Sequence, residues 1–185
     1  MQLLVASDIH GSLFYGQKLI DRFEEGRYKE LILLGDLYYH GPRNPLAEGY
    51  DPMALSKLLN KYADRIVAIK GNCDSEIDET ISDFKLLPTT TADYGGLKLT
   101  LTHGHVYNED NIPENVGDAL LYGHFHEGFI KRKGRLVVAN PGSTTLPKNN
   151  TPRSYISIDA EKKIIRLHEL ETGKILQEAL IETKR

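Results

Sequence analysis

The residues able to do chemistry gather in five short motifs: Asp8-Ile9-His10, Gly35-Asp36, Gly71-Asn72-Cys73-Asp74, His103-Gly104-His105 and Gly123-His124-Phe125-His126. They offer carboxylate, amide-oxygen and imidazole donors without a thiolate cluster, a set that suits Mn²⁺, Fe, Zn²⁺ or Mg²⁺. Each motif alone is weak, since Asp-x-His recurs by chance and Gly-Asp is an ordinary turn. His-x-His is better, because two rings at period two on an extended strand point the same way. Their joint occurrence is what marks a metal site. Six of the seven histidines precede residue 127, and five of those six lie in the motifs. Glycine precedes or interrupts the donors at Gly35, Gly71, Gly104 and Gly123, where it lets the backbone turn sharply and approach a ligand closely. Seven such donors are too many for one ion that also keeps an open position. They suit two ions about 3.5–4 Å apart that share a bridging carboxylate.

The elements that must position these residues are strands. Each motif follows a short apolar run: Leu3–Ala6, Leu31–Leu34, Ile66–Ile69, Leu97–Thr102 and Ala119–Tyr122. Runs of this kind fit strands buried on both faces, and ligands in open α/β sheets bind beyond the carboxyl ends of such strands. Between the first strands lie helices. Ser12 caps one that carries Leu13, Leu19, Ile20 and Phe23 and stops at Gly26. Asp51-Pro52 starts another, with Leu55, Leu58, Leu59 and Tyr62 along one face. A further strand covers Leu136–Ala139. The tail, with strands at Tyr155–Ile158, Ile164–Leu170 and Ile175–Ile181, reads as an antiparallel meander without chemistry, and His168 within it as a surface histidine.

The chain of 185 residues reads as a single domain, 1–185, with no repeat or linker. No apolar run approaches the ~20 residues that span a membrane, and the N-terminus reads as a strand, not a signal peptide. Cys73 is the single cysteine, which excludes an internal disulfide framework and fits the reducing cytoplasm. The net charge of −3 gives no general attraction to nucleic acid or an anionic membrane. The one basic cluster, Lys131, Arg132, Lys133 and Arg135, surrounds Gly134 and reads as a solvated hairpin tip.

In order and spacing the five motifs, closed by Asn140-Pro141-Gly142-Ser143, resemble the calcineurin-like metallophosphoesterases over residues 1 to 147. His40-Gly41-Pro42-Arg43-Asn44 is similar to the YfcE-type branch of small bacterial and archaeal phosphodiesterases. The resemblance implies a four-layer α/β/β/α sandwich, two mixed β-sheets with helices outside. It implies one ion on Asp8, His10 and His126, a second on Asn72, His103 and His124, and Asp36 bridging them. It further implies a metal-dependent phosphodiesterase of small esters, Mn²⁺ the foremost metal, with a hydroxide between the ions as nucleophile, and a homodimer or homotetramer. Physical chemistry supports that mechanism: two cations lower the pKa of a shared water and neutralise charge on the phosphoryl oxygens.

Asn72, Cys73, Asp74, His40 and His105 are the catalytic candidates, Asn72 able both to ligate and to hold a phosphate oxygen; the chain departs from the family at Cys73, where many members carry histidine between the asparagine and the acidic residue that is Asp74 here. A neutral thiol donates weakly, so the general acid passes to His40 or His105, each of which has a plainer role: a loop residue, or one that orients a ligand. Arg43 is either a phosphate clamp or a surface residue. The rival class is a non-catalytic scaffold, since one retromer subunit uses this fold to bind proteins. The full set of competent donors favours the enzyme, with a monoesterase or nuclease as its variants.

Overall fold

The structure, a computed structural model, describes residues 1–183. Its elements in chain order are β1 (Gln2–Ala6), α1 (Leu13–Glu25), β2 (Glu30–Leu33), α2 (Pro52–Asn60), β3 (Ile66–Ile69), α3 (Glu76–Thr80), β4 (Leu86–Leu87), β5 (Thr90–Asp93), β6 (Lys98–Leu101), β7 (Ala119–Leu121), β8 (Gly128–Lys133), β9 (Leu136–Pro141), β10 (Ser154–Asp159), β11 (Ile164–Glu169) and β12 (Ile175–Leu180). They form two mixed sheets. The first runs β12-β11-β10-β1-β2-β3-β4 and the second β5-β6-β7-β9-β8. β1 to β4 are mutually parallel, as are β6, β7 and β9, while the remaining pairs are antiparallel.

Alternation along the strands divides the core. On β1, Leu3 and Val5 face the second sheet, packing among Leu99, Leu101, Leu121 and Val137. Leu4 and Ala6 face the helices, against Leu19, Phe23, Leu55 and Leu59. Strands buried on both sides can therefore be continuous apolar runs. The outer face of the second sheet is closed by irregular chain, with Ile112 and Val116 packed on Leu120, Tyr122 and Val138.

Local chemistry explains the helix boundaries. Ser12 Oγ accepts the Tyr15 N–H at 3.1 Å, and Asp51 Oδ1 accepts that of Ala54 at 2.9 Å, each satisfying a first-turn donor. Gly26 ends α1 with φ of −78° rather than in the left-handed region, which Arg27 takes instead with φ of 51°. Glycine is required at 26 because a Cβ there would lie 2.1 Å from the Tyr28 ring. Tyr62, expected on the face of α2, falls just past its end and packs on the same core. The basic cluster forms the tip of the β8–β9 hairpin, with Gly134 at φ of 64°. Among the described residues, no helix is long and apolar enough to cross a membrane.

His168 departs from expectation. Only 8% of it is exposed; it stacks on Tyr155, its cross-strand partner, at 4.8 Å and 5°. Its Nε2 lies 2.8 Å from Ser157 Oγ and its Nδ1 3.1 Å from the Gly173 carbonyl. Burial holds the His168 pKa below its usual 6.5, with the Arg166 and Arg22 charges adding to the effect. The folded state thus binds this proton less readily than the unfolded chain, so His168 costs stability as pH falls below about 6.5. His168→Gln is expected to flatten the acid side of the stability profile there. His168→Ala should lower stability by about 1–3 kcal/mol and leave catalysis unchanged. Urea unfolding across pH checks both; an unchanged acid limb in His168→Gln would contradict the assignment.

Candidate metal centre

The five motifs converge at one end of the sandwich, although their strands belong to two sheets. β1, β2 and β3 deliver Asp8, His10, Asp36 and Asn72, while β6 and β7 deliver His103, His124 and His126. The loops after β1 and β2 run side by side through Asp8 N–H to Gly35 O at 3.0 Å and His10 N–H to Asp36 O at 3.0 Å. Hydroxyls after β9 brace the first loop: Ser143 Oγ donates to Asp8 O at 2.7 Å and Thr145 Oγ1 to Ile9 O at 2.8 Å. Close approach demands the glycines. A Cβ at Gly71 would lie 2.2 Å from Asp36 Oδ1, and one at Gly123 1.9 Å from Ser7 Oγ.

Backbone strain is concentrated on the donors. Asp8, His10, Asp36, His124 and His126 all lie in the left-handed region, with φ of 56°, 50°, 55°, 67° and 61°. Each such residue costs about 1–3 kcal/mol, and strain of this kind clusters where function fixes side-chain direction.

The histidine donors gather in two main groups, with a third of His10, Asp36 and Cys73 overlapping them. One oxygen or nitrogen from each of Asp8, His10 and His126 lies within 4.8 Å of the others, and the same holds for Asp36, His103 and His124. Asp36 faces both groups, with Oδ1 3.4 Å from His103 Nε2 and Oδ2 3.8 Å from His10 Nε2. Asn72 Oδ1 joins the second group, 3.0 Å from His103 Nε2.

Backbone carbonyls orient three rings. The Nδ1 atoms of His10, His103 and His126 lie 2.8, 2.7 and 2.6 Å from the carbonyls of Tyr39, Leu34 and Leu146. A proton donated there leaves each Nε2 facing inward with its lone pair, the tautomer a metal needs. His124 presents Nδ1 instead, 3.3 Å from His103 Nε2.

These residues fit divalent cations. Asp8 Oδ1 is buried without a hydrogen-bond donor, while Oδ2 accepts the His124 N–H at 2.9 Å. An orphaned buried acceptor beside imidazole lone pairs is a cation ligand in kind. Charge has the matching polarity: burial pushes the Asp8 carboxyl up, but the neighbouring His10, His126 and His103 hold it well below 3.8. Burial pulls His103 down, and Asp36 and Asp8 outweigh it, raising the imidazole to about 9, so a proton competes with a divalent ion for its Nε2.

The residues proposed as catalytic divide. Asp74 does not face the cleft chemistry: Oδ2 accepts the N–H groups of Asp36 and Gly71 at 2.8 and 2.7 Å, and Oδ1 that of Leu37 at 2.8 Å. It is a positioning residue for the Asp36 turn. Asp74→Ala strands these buried donors and is expected to cost about 3 kcal/mol or more and to weaken metal binding. Unfolding and metal titration check this, with Asp74→Asn as the milder variant; wild-type values in both would contradict it. Cys73 reaches the site, its N–H donating to Asp36 Oδ1 at 2.8 Å and its Sγ sharing a donor group with His10 and Asp36. Burial, then the charges of Asp36, Asp74 and Asp8, push the thiol up to about 12.

His40 is turned aside. Its ring sits between those of Tyr39 and Tyr50, at 4.6 and 5.5 Å, and its Nδ1 is buried without a partner. Its neighbours Tyr39, Arg43 and Asn44 line the cleft of about 700 Å³ above the donors, and His40 does not. His105 lies 5.4 Å from the His103 ring but lines an adjoining cleft with Pro88, Val106 and Tyr107. It does not orient His103, whose Nδ1 is taken by Leu34. Ser75 and Lys148 also line the main cleft and went unnoticed in the sequence. Both look like ordinary loop residues there.

A two-sheet α/β sandwich with clustered oxygen and nitrogen donors at its strand ends is the framework of a metallophosphoesterase. The calcineurin-like phosphoesterase superfamily domain matches residues 1–163, and the chain belongs to that superfamily. It is 40% identical over 161 residues to phosphodiesterase YfcE of Escherichia coli strain K12, covering 86% of this chain and 88% of the relative. A solved structure of YfcE, described as a phosphoesterase from E. coli, superposes with a TM-score of 0.94 at 35% identity, over 98% of this chain and 100% of that one. Vps29 of Entamoeba histolytica, solved in complex with zinc, shares the fold at a TM-score of 0.62 and 23% identity, over 97% and 98% of the two chains.

Proposed function

We propose that the protein is a phosphodiesterase of small phosphate diesters that works with two divalent ions, Mn²⁺ foremost. The observation that carries this is Asp36, whose two oxygens face two separate histidine-containing groups. Asp8, His10 and His126 would hold one ion, Asn72, His103 and His124 the other, and Asp36 both. When bound, such a pair lowers the pKa of a shared water and neutralises phosphoryl charge. The chain's own part is to fix the donors: carbonyls hold the rings, Asp74 holds the Asp36 turn, and the Asn72 amide reaches toward the cleft. The likeness to YfcE supports a diester substrate. A cleft of about 700 Å³ favours a small one. Hydrolysis of a panel of phosphate mono- and diesters with added Mn²⁺ tests the reading. Turnover of monoesters alone would contradict it.

Cys73 shapes the choice of leaving group. A protonated thiol supplies little general-acid help, and that help is worth about 10²–10⁴ in rate for a basic alkoxide. Aryl diesters are therefore expected to react much faster than alkyl diesters. Cys73→His should raise the alkyl rate, and Cys73→Ser should cost little. Paired kcat/KM values check this. A large loss on both esters in Cys73→Ser would make the thiol essential and contradict the account.

A further inference from the structure

The main cleft carries two cations with no partner of their own. Arg43 and Lys148 both line it, both are exposed, and among the described residues neither side chain forms an ion pair or hydrogen bond. The only carboxylate lining the same cleft is Asp36, which belongs to the metal donors. Both sit on chain segments tied to the same donor group. Lys148 N–H donates to the His126 carbonyl at 2.9 Å, and His126 Nδ1 leans on Leu146 O of the same segment. Arg43 lies four residues past Tyr39, whose carbonyl orients His10. His10 and His126 belong to one donor group, with Asp8.

The other side contrasts with this. The adjoining cleft beside His103 is lined by Pro88, Val106 and Tyr107, and its one lysine, Lys70, is paired with Glu79 at 2.9 Å. The site is thus polarised, with unspent positive charge beside one donor group and apolar surface beside the other. A single diester anion held at the metal centre would leave the Arg43 guanidinium and the Lys148 ammonium unmatched. Unmatched cations at a concave rim select ligands that bring further negative charge.

We infer that the substrate is a phosphodiester carrying a second anionic group, a phosphate or carboxylate, on the arm that lies beside His10 and His126, and that Arg43 and Lys148 bind that group. This rests on the phosphodiesterase reading and narrows it.

The test is calorimetric binding with Mn²⁺ present, using thymidine bisphosphate, phosphorylated on both hydroxyls, against thymidine monophosphate, phosphorylated on the primary hydroxyl alone. The bisphosphate is expected to bind about tenfold or more tightly, as a charge-assisted contact allows, and this ratio should shrink as salt is added. In the Arg43→Gln/Lys148→Gln double variant the ratio should fall to near one, beyond any common loss on both ligands. A ratio near one in the wild type, or one that survives in the double variant, overturns the inference, as does binding of neither ligand. Equal weakening of both ligands with the ratio intact would assign the cations to the scissile phosphate and overturns it as well. Failure of the phosphodiesterase reading shows separately, as no hydrolysis of bis-p-nitrophenyl phosphate by the same sample, while the binding ratio stays measurable.

Discussion

Chelation is expected to abolish hydrolysis of bis-p-nitrophenyl phosphate, and added Mn²⁺ to restore it. Among the described residues the site has no thiolate to serve as nucleophile at neutral pH: the Cys73 thiol is held protonated by burial and by the Asp36, Asp74 and Asp8 charges. It has other reasons to hold cations. Asp8 Oδ1 is buried without a donor, and three histidines turn Nε2 lone pairs toward it and toward Asp36. Oxygen and nitrogen donors bind Mn²⁺ comparatively loosely on the Irving–Williams order. Ions are therefore expected to leave during purification, and recovery should be complete when they are returned. Full activity in a sample shown metal-free by elemental analysis would contradict this.

Asp36→Asn is the most damaging single substitution expected. The side chain keeps its shape and an oxygen for the Cys73 N–H, which Asp36 Oδ1 accepts at 2.8 Å. What it loses is negative charge between two donor groups, together with the second oxygen that faces His10 at 3.8 Å. kcat/KM is expected to fall by a factor on the order of 10² or more, with metal affinity falling alongside. His168→Ala, on the far strand β11, is the control. If the two variants had the same activity, Asp36 would not be the bridge.

Much of the site can be read from the sequence because parallel strands buried on both faces leave a plain mark. Ile66–Ile69 is a strand in both readings, and each donor motif begins where an apolar run stops. Features that depend on partners distant in the chain leave no such mark. β5, Thr-Thr-Ala-Asp, has neither an apolar run nor alternation; it is a strand because it pairs with β6. α3 has five residues, too few for a periodic signal, and rests on its Ser75–Asp78 capping box. His168 reads as a surface residue because Tyr155, which covers it, lies on the neighbouring strand. The same holds at the cleft. His40 is pulled away by Tyr39 and Tyr50, while Lys148 is brought in by a backbone bond to His126. The left-handed backbone at five donors is also invisible, since Asp and His carry no rule comparable to glycine's.

Charge around the donors sets the direction of specificity as well as catalysis. The Asp8 and Asp36 carboxyls are buried and held ionised by the histidines about them, so metal ions are the proper counter-charge there. Arg43 and Lys148, by contrast, line the cleft with no ion pair or hydrogen bond to their side chains among the described residues. In the proposed scheme the first set would hold cations and the second an anion, dividing the labour between activation and recognition.

In the proposed site one chain holds a pair of ions bridged by Asp36. The most direct measurement is a Mn²⁺ titration of chelator-stripped protein, read by bound-metal analysis and by electron paramagnetic resonance of the ions. The account predicts two Mn²⁺ per chain with the spin coupling of ions about 3.5–4 Å apart, and loss of that coupling in Asp36→Asn. Saturation at one ion per chain, or two ions without coupling, would contradict it.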